Sequence, residues 1–257
     1  MFRIGTTSYI YPADISTNVK KLSGKVSDIE LVLFEFDGES NVPDHRVLEE
    51  LIEARNRYRM SYTIHLPLDL ALAGNRPNLD KAIRVIDLTR CLSPAGYVVH
   101  LDGCYQLDES MRLANSMASL TALTHAVEDS GLLCVENLES HTPEFIDRVL
   151  EAIHVSACID IGHLWKRGED PVPVIAKRLE RTRIVHLHGL QGRDHRSLSF
   201  VAPADLDPVM EFLLLNYTGI LTIEVFSETD LNGSLDVLRS SAERVSRRHS
   251  LEQDFTF

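Results

Sequence analysis

The stretch R-I-V-H-L-H-G-L-Q-G-R-D-H-R-S-L, Arg183 to Leu198, begins as an apolar strand and ends in a loop crowded with imidazole and guanidinium groups. Ile184, His186 and His188 alternate with Val185 and Leu187, the period of two that puts the first three on one face of a strand. In that reading Ile184 fills an interior, His186 holds an ion and His188 points one step further out, toward substrate. Gly189 and Gly192 let the chain turn, and the loop returns with Arg193, Asp194, His195 and Arg196. An apolar strand that finishes on polar groups is not confined to this place, and its recurrence decides the fold.

Short β-rich runs alternate with longer segments of helical period, the pattern of βα units around a parallel sheet. Eight strand candidates stand out: FRIGTTSY (2–9), DIELVLFE (28–35), SYTIHLP (61–67), GYVVHLDG (96–103), LLCVENLE (132–139), SACIDIGH (156–163), RIVHLHGL (183–190) and GILTIEVFS (219–227). Helical stretches lie between them, among them HRVLEELIEARNRYR (45–59), NLDKAIRVIDLTRCL (78–92) and MRLANSMASLTALTHAVEDSG (111–131), and SLDVLRSSAERVSRR follows the last strand. Eight repeats in a chain of 257 residues match a (β/α)8 TIM barrel. A doubly wound open sheet is the alternative, but the turn after its first strand should be a glycine-rich phosphate loop, and here it reads GTTSYIYPAD.

Composition sets the limits. With 44% hydrophobic and 25% charged residues the chain is globular, and no Pro/Gly/Ser linker divides it, so residues 1–257 are expected to form one barrel with 251–257 as a C-terminal tail. The first residues, MFRIGTTSYI, read as a strand and not as a signal peptide, and no apolar run approaches a membrane span; a soluble, cytoplasmic protein is expected. Cys91, Cys104, Cys134 and Cys158 lack CxxC spacing, which argues against zinc-finger and disulfide readings. A net charge of -12 opposes binding to duplex nucleic acid.

In a barrel the functional rim is at the C-terminal ends of the strands. Those ends are polar here: His65, His100 and Asp102, Glu136 and Asn137, Asp160 and His163, His186 and His188, and Glu224. Six of the eleven histidines fall at strand ends or in the following loop, while His45, His125, His141, His154 and His249 lie in or beside helical stretches. One His or Glu at a strand end is ordinarily a satisfied structural group. A whole ring of them, buried in one mouth, would repel or desolvate badly unless cations satisfied it. Imidazole with carboxylate suits divalent Zn, Mn or Fe, and two or more clustered ions activate water and stabilise a leaving oxygen. Cys134 and Cys158 read as core packing, and Trp165 as either a loop cap or a stacking platform.

These residues resemble the xylose-isomerase-like barrels, a superfamily that includes sugar isomerases, epimerases and the apurinic-endonuclease group. The order His65, His100, Glu136, Asp160-x-x-His163, His186, His195, Glu224 is similar to the endonuclease group's multi-metal set. That resemblance implies that Glu136 bridges ions shared with the other seven. One position departs: where the group has Asp-x-His, this chain has Arg193 two residues before His195, with Asp194 one residue late, which puts the third ion site in doubt.

The segments FRIGTTSYIYPADISTNV, DIELVLFE, YTIHLPLDL, LLCVENLE, CIDIGHLW, VHLHGLQGRDHRSL and LTIEVFS resemble most closely the cobamide-remodelling phosphodiesterases, CbiR. This likeness implies cleavage of the cobamide nucleotide-loop phosphodiester to a cobinamide phosphate and an α-riboside, with two or more Zn or Mn ions. Glu136 and Glu224 would place the ions and relay a proton, and Arg193 and Arg196 would neutralise the phosphate. Two rivals stand beside it. A sugar isomerase or epimerase needs one ion on Glu136, Asp160, His186 and Glu224, and leaves His65, His100 and His195 over. A binding module that keeps the barrel without chemistry would have no use for an intact ligand ring.

Overall fold

The computed structural model describes residues 2–103 and 107–249; Cys104 and the expected tail 251–257 lie outside the described residues. Among the described residues eight parallel strands close into a barrel in the order β1-β8-β7-β6-β5-β4-β3-β2. They are β1 (Arg3–Thr7), β2 (Asp28–Val32), β3 (Ser61–His65), β4 (Tyr97–Val99), β5 (Leu133–Glu136), β6 (Ser156–Asp160), β7 (Thr182–Leu187) and β8 (Ile220–Ile223). Closure runs through β1, which pairs with β8 on one side (Arg3 opposite Ile220) and β2 on the other (Gly5 opposite Asp28).

Helices α1 (Ile15–Leu22), α2 (His45–Tyr58), α3 (Leu79–Thr89), α4 (Glu109–Thr124), α5 (Pro143–Ala152), α6 (Ile161–Lys166), α7 (Pro171–Arg178), α8 (Pro203–Asn216) and α9 (Glu228–His249) surround it. Several start where a short side chain takes an orphan backbone N–H: Asp14 accepts from Thr17, Asp44 from Val47 and Asp108 from Met111, each worth about 1 kcal/mol. None of the helices is long and apolar enough to cross a membrane, among the described residues.

Two apolar cores result. The larger lies between barrel and helices, while Val98, Cys134, Cys158 and Ile184 form a separate, fully buried cluster inside the barrel. These four come from β4, β5, β6 and β7, and their common inward face fixes where the next residues on that face stand. Two positions further along are His100, Glu136, Asp160 and His186.

The elements differ from the sequence reading in three places. The sixth strand stops at Asp160, whose side chain accepts the backbone N–H of His163 at 2.7 Å and so caps α6, a helix where strand was expected through His163. The fourth strand is shorter than read, ending at Val99. A two-stranded hairpin, Glu35–Phe36 against Glu39–Ser40, follows β2; its turn is Asp37-Gly38, both at positive φ, the local signal of a tight hairpin.

Candidate metal centre

Every strand-end residue singled out as a ligand is carried to the same end of the barrel. Glu136 and Asp160 are the last residues of β5 and β6, while His100 and Glu224 stand just beyond β4 and β8. Their ligand atoms fall into groups in which all lie within 4.8 Å of one another: His65, His100 and Glu136; Glu136, Asp160, His186 and Glu224; and Asp160, His163, His188 and His195. Glu136 belongs to the first two groups and Asp160 to the last two. The three groups therefore form one continuous chain of donors joined by shared carboxylates.

The imidazoles are oriented by their second nitrogens. Nδ1 of His65 lies 2.9 Å from the Leu66 carbonyl, Nδ1 of His163 lies 3.0 Å from the Asn137 carbonyl, and Nδ1 of His195 lies 3.2 Å from Asp194 Oδ1. An N–H donated there leaves Nε2 with its lone pair toward the centre, the arrangement expected of metal-binding histidines. His186 is turned the other way: Nε2 lies 2.9 Å from Glu30 Oε2, and Nδ1 faces the centre, 3.1 Å from Glu224 Oε2 and 3.5 Å from Glu136 Oε1. His100 Nε2 approaches Glu136 Oε2 at 2.9 Å.

Asn137 holds the rim in register. Its amide donates to the Asp160 carbonyl at 2.9 Å and its Oδ1 accepts the Asp160 N–H at 2.7 Å, which clamps the end of β5 to the end of β6. Gly162 makes room for His188, since a Cβ there would stand 2.1 Å from the ring.

Several buried polar atoms at this centre have no hydrogen-bond partner: Asp160 Oδ2, His186 Nδ1, His188 Nε2 and Glu224 Oε2. Buried polar atoms are normally paired. These orphans come from the ends of β6, β7 and β8 and fit divalent cations: Asp160, His186 and Glu224 fall in one donor group, and His188 joins Asp160 in the next. The electrostatics agree. Burial disfavours charge, yet His100 and His186 hold Glu136 well below the ordinary carboxylate range, and His186 and His195 do the same for Glu224. Burial opposes the imidazolium of His65, but the carboxylates of Glu136, Glu30 and Glu224 raise it to about 9. His195, near Glu224, is likewise raised to about 9.

The three substrate-facing expectations meet different surroundings. His188 has no exposed surface and stands among the donors, its Nε2 3.3 Å from Asp160 Oδ1. Arg193 is exposed on the loop, and Arg196 turns toward α9, with Nε 3.5 Å from Asp230 Oδ1 and its guanidinium over the Phe200 ring. Asp194 pairs with Lys166 at 2.9 Å and with the His195 ring. Its carboxylate also lies within 4.8 Å of ligand atoms of Glu139 and His163, a further donor group beside the other three.

Glu30 was missed by reading strand ends. It lies mid-strand in β2, fully buried, and reaches His186 across the lumen. Its signal was the Asp28-x-Glu30 alternation, two carboxylates on one face of an otherwise apolar strand.

The fold has many relatives of low sequence identity. A D-tagatose 3-epimerase-like protein superposes with a TM-score of 0.81 at 22% identity, covering 96% of this chain and 99% of that one. An L-ribulose 3-epimerase gives 0.72 at 14% identity over the full length of both chains. An AP endonuclease of family 2 from Brucella melitensis gives 0.69 at 11%, covering 93% of this chain and 99% of the other. At such identities the likeness is one of fold. No curated protein matches the chain significantly. The family model for the xylose isomerase-like TIM barrel matches residues 26–247, and the chain belongs to that family.

Proposed function

We propose that this protein is a multi-ion phosphodiesterase acting on a small-molecule phosphoester, with the nucleotide loop of a cobamide as substrate. The observation that carries the reading is the sharing of Glu136 and Asp160 between adjacent donor groups. A one-ion enzyme has no use for three abutting groups, whereas phosphoryl transfer gains from cations on both the attacking and the leaving oxygen.

The residues that would hold the ions are His65, His100, Glu136, Asp160, His163, His186, His188, His195 and Glu224. Bound divalent ions of the Zn or Mn class supply positive charge that acidifies water and offsets the charge on the phosphoryl group. Glu136 and Glu224 would hold ions, and the buried Glu224 would accept the proton of the attacking water. Water adds to phosphorus as the bond to the riboside oxygen breaks. The phosphate stays on the cobinamide, and the proton passes to the riboside hydroxyl. Arg193 and Arg196, on the same loop as His195, would neutralise the phosphate.

The rim supports a bulky substrate. Tyr9, Phe36, Leu68 and Phe226 are exposed large apolar side chains in the segments that follow β1, β2, β3 and β8, which are neighbours in the barrel. Phe226 ties this arc to the centre, its ring 5.2 Å from that of His195. An apolar arc suits the broad face of a corrin ring better than a free sugar covered in hydroxyls.

A second reading, a metal-dependent sugar isomerase or epimerase, is favoured by a different observation. Glu136, Asp160, His186 and Glu224 form one complete group, with two glutamates that could remove and return a proton at carbon. Several structural relatives, a D-tagatose 3-epimerase-like protein, an L-ribulose 3-epimerase and a D-allulose 3-epimerase, fit this reading better than the first.

The deciding experiment incubates ion-loaded protein with an adenosylated cobamide and, separately, with ketose pairs, and separates products by mass. Release of cobinamide phosphate and α-riboside, abolished in Glu136→Gln, is the expected result. Ketose interconversion without that release would replace the first reading by the second.

A further inference from the structure

Glu30 is a carboxylate in the barrel lumen that neither reading of the function employs. It has no exposed surface, and neither does His186. In register Glu30 sits beside Thr63 of β3 and Thr7 of β1, and it reaches His186 on β7, with β1 and β8 intervening around the wall. Its Oε2 lies 2.9 Å from His186 Nε2, while Oε1 has no hydrogen-bond partner. A carboxylate buried this deeply, with one imidazole N–H as its bond, is costly to keep for packing alone.

We infer that Glu30 is a positioning residue for the metal centre: by accepting the Nε2 proton of His186 it fixes the tautomer and ring orientation that present Nδ1 to Glu136, Asp160 and Glu224. The contrast with the other imidazoles supports this. His65, His163 and His195 engage Nδ1 and offer Nε2, and their Nδ1 partners are neighbours in sequence or on the adjoining strand end. For His186 the short reach of Nδ1 is needed at the centre, because the residue lies inside β7 and not beyond its end. The outward nitrogen then points into the lumen, where only a residue from the far wall can take its proton. Nδ1 itself lies within 3.9 Å of three carboxylate oxygens and has no hydrogen-bond partner. That is the geometry of a ligand atom whose other nitrogen has been assigned by Glu30.

The inference rests on reading this site as a cation site, and its test uses ion binding, not turnover. Wild type, Glu30→Gln and the apolar, similarly shaped Glu30→Met are compared by chelator competition for Mn and Zn, by histidine ring-nitrogen NMR and by thermal melting without ions. The expected result is an about 10- to 100-fold loss of affinity for the tightest ion in both variants, with the His186 ring nitrogens losing their single-tautomer pattern. Glu30→Met strands the buried His186 N–H and should melt lower without ions, so an unchanged far-UV circular dichroism spectrum below the melt is what separates a lost ligand orientation from misfolding. Variants that bind ions as tightly as wild type and differ only in melting would overturn the role given to Glu30. A wild-type chain that takes up no ion would overturn the reading of the site itself.

Discussion

Gly162 shows how a single position decides whether a third group of donors can exist. His188 is enclosed, and its ring occupies the space where a side chain at Gly162 would be, 2.1 Å from a Cβ. Nothing flexible can yield there, because the ring is also held by the Gly189 carbonyl, 3.2 Å from its Nδ1, and stacks on the His195 ring. Gly162→Ala is therefore expected to lower stability by about 1–3 kcal/mol and to remove the ion shared by His163, His188 and His195. A melt together with metal content checks both, and unchanged values in both would refute the tight fit. At this scale the sequence was readable wherever a polar residue ends an apolar alternation, as at His65, Glu136 and Glu224. Glu30 escaped because its partner is across the lumen, and no periodicity in one strand reveals what the opposite wall presents.

The loop that follows β7 is pinned at more points than its glycines suggest. Gly189 and Arg196 exchange backbone hydrogen bonds at 2.7 and 3.0 Å, and Asp230 in α9 accepts the Ser197 N–H at 3.1 Å. The adjacent Leu198 N–H goes to Ser234, also in α9, at 3.0 Å. Between these anchors His195 takes a left-handed backbone, φ 53°, which a non-glycine residue adopts only when its surroundings impose it. Asp230→Ala, which strands buried donors, should cost about 1–3 kcal/mol and speed amide exchange through residues 189–198. Exchange that is no faster than in wild type would show that α9 does not hold the loop. The order of strands and helices was legible from alternation alone, since each element buries its own apolar face. Boundaries were less so: Asp160 ends a strand and caps a helix with one side chain, and the apolar run SACIDIGH contains no break to show it.

The molecule as a whole sets its acidic interior against its buried imidazoles, and this gives pH dependences of opposite sign with and without ions. Within the protein alone, neighbouring carboxylates raise His65 and His195 from 6.5 to about 9. A raised folded-state value means that the stabilisation is complete below pH 6.5 and is lost as pH climbs through about 9. For fully enclosed His65 this amounts to something on the order of 3 kcal/mol. Ion binding needs those same nitrogens deprotonated, so the stabilisation an ion confers grows as protons leave. In chelator, the melting temperature should fall between pH 6.5 and 9; with saturating Mn or Zn it should hold or rise across the same window, so that the two curves diverge. Because the ring is built from carboxylates that lie close together, the gap should also be larger than any effect of raising ionic strength, which screens surface charge but not buried groups. Melting curves at half-unit pH steps measure it directly. Parallel curves would mean that protons and ions do not compete for the ring, and that the histidines gathered at the barrel mouth are not its ligands.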